Sequence, residues 1–187
     1  SATPKPADDQ PKYGGVLPIS ANQDPPGWAM HQQQLLATRI VAATVYDGLL
    51  EYNPLKQDEI ITDLAERYEA SKDGLTYTFF LNKGIKFHDG SQMTSEDVKY
   101  SLERIIDPPK GILSPRKELL ASIDRIETPD PDTVRIVTRY PDASFMGGIA
   151  LSHHVIYPKK VVEQKGDMKQ TMDGTGPFKL ERYVAGS

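Results

Sequence analysis

The chain has 187 residues, of which 38% are hydrophobic and 26% charged, and its formal net charge is −4. This balance is typical of a globular domain, and the lack of any block of Lys and Arg excludes the basic face of a nucleic-acid-binding protein. Cysteine is absent, which excludes disulfides, zinc–thiolate sites and cysteine nucleophiles, and no apolar run is long enough to span a membrane.

The first part of the chain predicts a tether, a strand and a helix. Residues 1–13 are rich in Pro, Ala and Asp, so we interpret them as a flexible tether. Residues 14–19 predict a short apolar strand, and residues 22–27 predict a turn-rich loop before Trp28. Residues 30–46 predict the first helix, whose apolar face is formed by residues at helical spacing: Leu36, Ile40, Val41, Ala43 and Val45.

The middle of the chain predicts several strands. Residues 49–52 form one, and residues 67–70 and 75–81 flank an Asp-Gly pair that favours a hairpin turn. A second hairpin is predicted between residues 125–128 and 133–138, around a Pro-Asp-Pro-Asp turn. In the second strand of the first hairpin, residues 75–81, alternation places four apolar side chains on one face: Leu75, Tyr77, Phe79 and Leu81.

The clearest helix covers residues 94–106. Thr94 and Asp97 have the spacing of a capping box, in which each residue satisfies a free backbone amide of the first turn. A shorter helix is predicted from Ser114 onwards, because Pro115 suits the first helical position.

The last part of the chain predicts a helix over residues 158–164 and a strand over residues 178–184. The run Gly174-Thr175-Gly176-Pro177 is too short for a dinucleotide-binding fingerprint, and a strand rather than a helix follows it. We therefore interpret its glycines as shaping a tight turn. Neither a Gly-x-Ser-x-Gly elbow nor a Walker motif is present in the sequence.

The pair His153-His154 raises the hypothesis of a metal site. Adjacent residues on a strand point to opposite faces and chelate a metal poorly as a pair, so ordinary polar residues are the better interpretation. His88-Asp89-Gly90 is typical of a turn in which the Asp carboxylate accepts bonds from nearby amides. The sequence therefore predicts no catalytic residue, no metal ligand and no cofactor.

Two residues have both a structural and a functional interpretation. Trp28 lies in a loop rich in Pro and Gly, where it could pack beneath the loop or stack on a ligand. Arg116 lies in the first turn of a predicted helix, where its positive charge opposes the helix dipole. A solvated surface residue and a clamp for a ligand carboxylate are both open at this position.

Several runs follow one another in a characteristic order: Gly-Gly-Val-Leu at 14–17, VYDGLLEY at 45–52, the segment 63–79, LNKGIKFHDGSQMTSEDV at 81–98, and Gly-Thr-Gly-Pro-Phe at 174–178. Together they resemble the family-5 extracellular solute-binding proteins, the peptide, nickel and oligopeptide binders of ABC importers. The likeness covers nearly everything after the tether. Asn82, Gln92 and Ile61-Thr62 depart from the family's usual residues, all at predicted turns or strand edges.

The resemblance implies a mixed α/β (α+β) fold, the partial first lobe of a type II periplasmic-binding-protein fold with an inserted β-rich subdomain. Residues 14–46 and 170–187 would form the incomplete core of this lobe, and residues 47–169 the inserted subdomain. Family members are much longer and have two lobes, so the chain is expected to be an N-terminal fragment that lacks the second lobe.

The resemblance also implies a function without catalysis. The protein would capture peptide-like ligands between two lobes and deliver them to the transmembrane subunits of an ABC importer, as a monomer on the periplasmic or extracellular side of the cytoplasmic membrane, with or without a lipid anchor. Eight residues on loops at the rim of the lobe are the candidate ligand contacts: Asn22, Gln23, Asp24, Trp28, Arg116, Ser152, His153 and His154.

Other functions on the same scaffold stay open at this point. The ligand could be a nickel complex, an oligosaccharide or an opine, or the chain could act as a sensor module. A metallohydrolase built on the histidine pair has little support in the sequence.

Overall fold

The computed structural model describes residues 14–20 and 23–184, so the predicted tether, Asn22 and residues 185–187 lie outside the described residues. In chain order the elements are α1 (Leu36–Ala42), β1 (Leu50–Tyr52), β2 (Ile60–Thr62), β3 (Ala65–Ala70), β4 (Thr76–Leu81), α2 (Ser95–Ile106), a 3₁₀ turn (Lys117–Leu120), β5 (Ile123–Asp130), β6 (Thr133–Thr138), α3 (Phe145–Ile149) and α4 (Lys159–Lys165).

A four-stranded antiparallel sheet organises the middle of the chain. Its strands lie in the order β3-β4-β6-β5, and both predicted hairpins, β3–β4 and β5–β6, are confirmed. Because β-strand side chains alternate between faces, Tyr77, Phe79 and Leu81 of β4 are buried together on one face, as predicted. Helix α2 packs against β5 and β6. A short ribbon of β1 and β2 lies outside this sheet.

Helix α2 begins as the sequence predicts. Its N-terminus carries the capping box of Thr94 and Asp97, in which Asp97 Oδ2 accepts a hydrogen bond from the Thr94 amide at 2.9 Å. The other carboxylate oxygen of Asp97 accepts a bond from the Lys159 amide at 2.9 Å, so one side chain both caps α2 and holds the start of α4 beside it.

The apolar residues form two buried clusters. The larger one draws on the sheet, α2, the 3₁₀ turn and α3, and spans positions 49 to 156. The smaller one joins α1 and its flanking segments to a later stretch of chain: Ala29, Met30, Ala42, Val45 and Tyr46 with Val155, Tyr157, Val162 and Met168. Residues 155–168 therefore pack on the region around α1, although the sequence analysis assigns them to the inserted subdomain of residues 47–169. That division of the chain stays a prediction.

The strands predicted at residues 14–19 and 178–184 are wrong for this structure. Both segments have no regular secondary structure, and Val16 and Leu17 are 93% and 80% exposed. A strand needs a neighbour that accepts and donates its backbone hydrogen bonds, and no described strand lies beside either segment.

The first helix is shorter than predicted, and the face that it buries is not the predicted apolar face. Backbone bonds from Gln32 and Gln33 to the Ala29 carbonyl form an isolated turn, Leu35 is extended, and α1 covers only Leu36–Ala42. Its buried face consists of small residues, Ala37, Thr38 and Ala42, whereas Leu36 and Ile40 are exposed. Small side chains let the helix approach the chain closely, and the Thr38 hydroxyl donates to the Gly27 carbonyl at 3.1 Å.

The helix predicted from Ser114 is also wrong in its extent. Only the 3₁₀ turn Lys117–Leu120 forms, and Pro115 lies before it. The segment has little apolar surface to bury, since Leu120 is buried but Leu119 is 45% exposed. The predicted helix at 158–164 is confirmed as α4, while β2 and α3 were not predicted. None of the described helices is long and apolar enough to cross a bilayer.

Candidate functional site

Arg116 is hydrogen-bonded to the chain segment that precedes α1. Its guanidinium Nη1 donates to the Gln33 carbonyl at 2.9 Å, three residues before α1 begins. The side chain is half-buried, and burial together with the positive charge of Arg39 lowers its pKa. Because a single backbone bond uses only one of five N–H groups, the guanidinium keeps donors for another acceptor.

The two adjacent histidines lie in a loop and are buried there. His153 and His154 are 8% and 2% exposed. His154 Nδ1 lies 2.6 Å from the Gly148 carbonyl, which can only accept, so this nitrogen carries the proton. Its Nε2 has no hydrogen-bond partner among the described residues.

His153 is held neutral by its surroundings. Burial, together with the positive charges of Arg116, Arg39 and then His154, lowers its pKa to about 4. The structure thus brings together Arg116, His153 and His154 from the predicted set. It adds Arg39, which the sequence analysis missed. We call Arg39, Arg116 and His153 the arginine cluster.

Arg39 could have been found from the sequence. It follows Leu36 by three residues, so on a helix the two side chains are neighbours. An arginine beside an apolar helix face is a signal for function when that face stays exposed. The sequence analysis did not use this signal.

A cleft of about 360 Å³ lies beside the arginine cluster. Arg39 of α1 and Ala43, directly after α1, line this cleft, and Ser152 and Val155 come from the segment that contains His153. Ser152 is exposed, so its hydroxyl is available to a ligand. The cleft therefore lies between α1 and the segment that contains two predicted ligand contacts, Ser152 and His153.

Three acidic residues also line this cleft. They are Asp47, Glu51 and Asp63, and Asp63 Oδ2 accepts a hydrogen bond from the Gly48 amide at 3.0 Å. Burial, together with the negative charges of Asp47 and Glu51, raises the pKa of Asp63 to about 7, although the Gly48 bond acts in the opposite direction. The cleft is thus lined by Arg39 and by three carboxyl groups.

The loop before α1 contacts a different part of the molecule. Gln23 and Asp24 are exposed, and Asn22 lies outside the described residues. Trp28 is 5% exposed, and its backbone amide donates to the Lys169 carbonyl at 3.0 Å. Its ring packs edge-on against the ring of Tyr183, with the two ring centroids 5.1 Å apart. This geometry favours packing beneath the loop for Trp28.

The Gly-Thr-Gly-Pro run holds the chain after α1 in place. A Cβ on Gly174 would lie 2.0 Å from the Val45 carbonyl oxygen, so only glycine fits there. The Gly176 amide donates to that same carbonyl at 2.9 Å, and the Thr175 hydroxyl donates to Asp47 Oδ2 at 2.7 Å. The glycines permit close approach of two chain segments. The chain bends over residues 175–177, where the sequence analysis predicts a tight turn.

The residues of this framework match a known family. Residues 59–187 match the bacterial extracellular solute-binding proteins, family 5 Middle. The chain belongs to this family. The family resemblance of the sequence is therefore confirmed, and the runs at 63–79, 81–98 and 174–178 lie within the matched residues.

Curated relatives agree with this assignment. The chain is 35% identical over 149 residues to the glutathione-binding protein GsiB of Pectobacterium atrosepticum, covering 79% of this chain and 28% of GsiB. It is 31% identical over 193 residues to di/tripeptide-binding protein 4 of Pseudomonas aeruginosa, covering 90% of this chain and 36% of that protein. The chain thus spans about a third of the length of these relatives.

Solved structures share the fold. The binding protein AgaA from A. tumefaciens R10, in complex with agropinic acid, has a TM-score of 0.81 and 35% identity over 88% of this chain and 33% of AgaA. The periplasmic binding protein DppA from Helicobacter pylori, in complex with the peptide STSA, has a TM-score of 0.77 and 26% identity over 87% of this chain and 36% of DppA. The mixed α/β fold of a partial periplasmic-binding-protein lobe is confirmed.

Proposed function

We propose that this chain forms one side of the ligand-binding cleft of an extracytoplasmic solute-binding protein that serves an ABC importer. The ligand is peptide-like, carries a free carboxylate and is held without chemical change. Family membership and the glutathione-, dipeptide- and tripeptide-binding relatives support this proposal. The transporter's transmembrane subunits are the macromolecular partner, and the protein works as a monomer outside the cytoplasmic membrane, with or without a lipid anchor.

The observation that carries the proposal is the unpaired Arg116. Its only polar contact among the described residues is the Gln33 carbonyl, and no described carboxylate lies within ion-pair distance of it. A half-buried guanidinium with free donors is suited to a bidentate bond with a carboxylate, which is stronger and more directional than a neutral hydrogen bond.

The binding cycle follows from two-state thermodynamics. A ligand that contacts both sides of a cleft only when the cleft is closed stabilises the closed form by its differential affinity. The transporter would recognise that closed form. Ser152, His153 and His154 contribute as a wall beside Arg116, whereas Asn22, Gln23, Asp24 and Trp28 stay proposed contacts at the rim.

An opine is the second candidate ligand. AgaA, whose structure contains agropinic acid, is as similar to this chain in sequence as the glutathione-binding relative is. An acid of this kind would use the same arginine. A competition titration between a dipeptide and agropinic acid, followed on the Arg116 side-chain resonance, separates the two candidates by their dissociation constants.

The proposal is tested with a pair of dipeptides in a ¹H–¹⁵N NMR titration of the chain. We expect Ala-Leu to shift the resonances of Gln33, Arg116 and His153 with a dissociation constant in the millimolar range, since one side of a cleft makes only part of the contacts; 1 mM corresponds to about 4 kcal/mol. Ala-Leu-amide, which lacks the carboxylate, should bind several times more weakly.

Two variants control this experiment. Arg116→Gln should remove the preference for the free carboxylate, whereas Arg125→Gln should not, because Arg125 lies on β5 and is already paired with Asp124 and Glu127. Equal affinity for the two dipeptides in the unchanged protein, or micromolar binding that survives Arg116→Gln, would contradict the proposal.

A further inference from the structure

The hydroxyl of Thr175 is hydrogen-bonded to a side chain in the wall of the cleft. It donates to Asp47 Oδ2 at 2.7 Å, and Asp47 lines the cleft of about 360 Å³. Thr175 itself is not among the described residues that line the cleft. We propose that Thr175 is a positioning residue, which holds the carboxylate of Asp47 in the cleft wall while the turn at His88 holds Thr175. This role does not depend on which ligand the cleft binds.

The backbone on both sides of Thr175 is fixed by other hydrogen bonds. His88 Nε2 lies 2.7 Å from the Gly176 carbonyl, which can only accept, so this nitrogen carries a proton and donates it. The His88 amide donates to the Gly174 carbonyl at 2.9 Å. On the other side, the Gly176 amide donates to the Val45 carbonyl at 2.9 Å. Thr175 is thus held between the turn at His88 and the chain after α1, so its side chain has a defined direction.

The carboxylate that Thr175 binds has a second carboxyl group as its neighbour. Asp63 Oδ2 accepts a hydrogen bond from the Gly48 amide at 3.0 Å, and that amide belongs to the peptide bond that follows Asp47. Asp47 and Asp63 line the same cleft, together with Glu51 and Arg39. Like charges at short range repel, most strongly where burial excludes water. A fixed hydrogen-bond donor to Asp47 offsets this repulsion and keeps its carboxylate in the wall.

The titration of Asp63 reports where the carboxylate of Asp47 lies. Burial, with the negative charges of Asp47 and Glu51, raises the pKa of Asp63 to about 7. Loss of the Thr175 hydroxyl should let the Asp47 carboxylate turn away from Asp63, and the pKa of Asp63 should then fall because a negative charge has moved away from it. A merely structural role of Thr175 would change the free energy of unfolding and leave this pKa as it is.

The inference is tested on the ¹³Cγ chemical shift of Asp63, followed by NMR in a pH titration of the chain. We expect Asp47→Asn to lower the pKa of Asp63 by about 1, the effect of removing one charge at short range, and Thr175→Val to lower it by about 0.5. Thr175→Ser keeps the hydroxyl and should retain the original pKa. Thr44→Val is the matched control, because the Thr44 hydroxyl donates to the Val41 carbonyl, and it should leave Asp63 unchanged.

A double-mutant cycle shows whether the effect passes through Asp47. In Asp47→Asn no charge is left to displace, so the addition of Thr175→Val should lower the pKa of Asp63 no further. An Asp63 pKa that is unchanged in Thr175→Val, or that falls equally in the Asp47→Asn background, would overturn the inference. Thr175→Ala also lacks the hydroxyl and needs less room than valine, so it replaces Thr175→Val if that variant does not fold. The dipeptide titration that tests the proposed function is independent of these results.

Discussion

The surroundings of the two hydrophobic clusters differ in how much apolar surface they leave exposed. In the larger cluster Phe79, Val134 and Ile136 are fully covered by the sheet and the helices packed on it. Around α1 and the last described segment, Leu36, Phe178 and Val184 are 51%, 63% and 52% exposed. The first region has the contacts of a self-contained core, whereas the second leaves apolar surface exposed. Stability and ligand binding thus depend on different parts of the chain.

Amide hydrogen exchange should show the largest difference between the two regions. The amides of β4 lie in the centre of the sheet and exchange only by global unfolding, whereas those of residues 178–184 are outside any regular element. We expect β4 to be protected by about 5 kcal/mol or more beyond the last segment. Equal protection in the two regions would remove the distinction between them.

Truncation of one phenylalanine in each region gives a matched comparison. Phe79→Ala leaves a cavity at a fully buried position, so we expect the free energy of unfolding to fall by about 3–5 kcal/mol. Phe178→Ala removes a ring that is 63% exposed and should change it by less than about 0.5 kcal/mol. Urea denaturation followed by circular dichroism measures both, and similar losses would contradict the account.

The close contact between the Gly-Thr-Gly-Pro run and the chain after α1 is expected to depend on Gly174. Gly174→Ala puts a methyl group against the Val45 carbonyl, so the two segments must separate, at a cost of about 2–3 kcal/mol. Gly147→Ala is the control: its added methyl would meet only the far end of the Tyr52 side chain, and alanine favours the helix there. A Gly174→Ala protein as stable as the control would show that the close approach does not matter.

Acid should weaken the smaller cluster first. Burial lowers the pKa of His31 to about 3, below its unfolded value near 6.5, so the unfolded chain binds the proton more readily. Stability from neutral His31 is present above pH 6.5 and is lost as the pH falls towards 3, by about 2 kcal/mol between pH 6.5 and 5. Denaturation at both pH values, in the unchanged protein and in His31→Asn, measures this term. A loss that is undiminished in His31→Asn would assign it elsewhere.

The sequence alone was sufficient to predict the main elements of the four-stranded sheet and helix α2. Alternation in β4, the Asp-Gly turn and the capping box at Thr94 are local signals, and each is confirmed because the partners of these residues lie nearby in the sheet and α2. Around α1 the same type of reasoning failed. The periodicity of Leu36 and Ile40 identified an apolar face correctly but could not say that small residues on the opposite face would be the buried ones.

The candidate site was only partly accessible to sequence reasoning for the same physical reason. Arg116 and the histidine pair were singled out by residue type and position. Arg39 comes next to them only through the packing of α1, which depends on contacts with residues 155–168, more than a hundred positions away. Such long-range contacts leave no local pattern.

The most direct test of the account is the pKa of His153 with and without ligand. In the free protein burial and the two arginines hold it at about 4. His153 is already 8% exposed, so a bound carboxylate removes little more water from it and acts mainly through its charge, which favours the protonated imidazole. In an NMR pH titration of the His153 ring protons, Ala-Leu should raise this pKa and Ala-Leu-amide should not. A His153 pKa that is unchanged or lowered by Ala-Leu would contradict the assignment of the arginine cluster as the carboxylate-binding site.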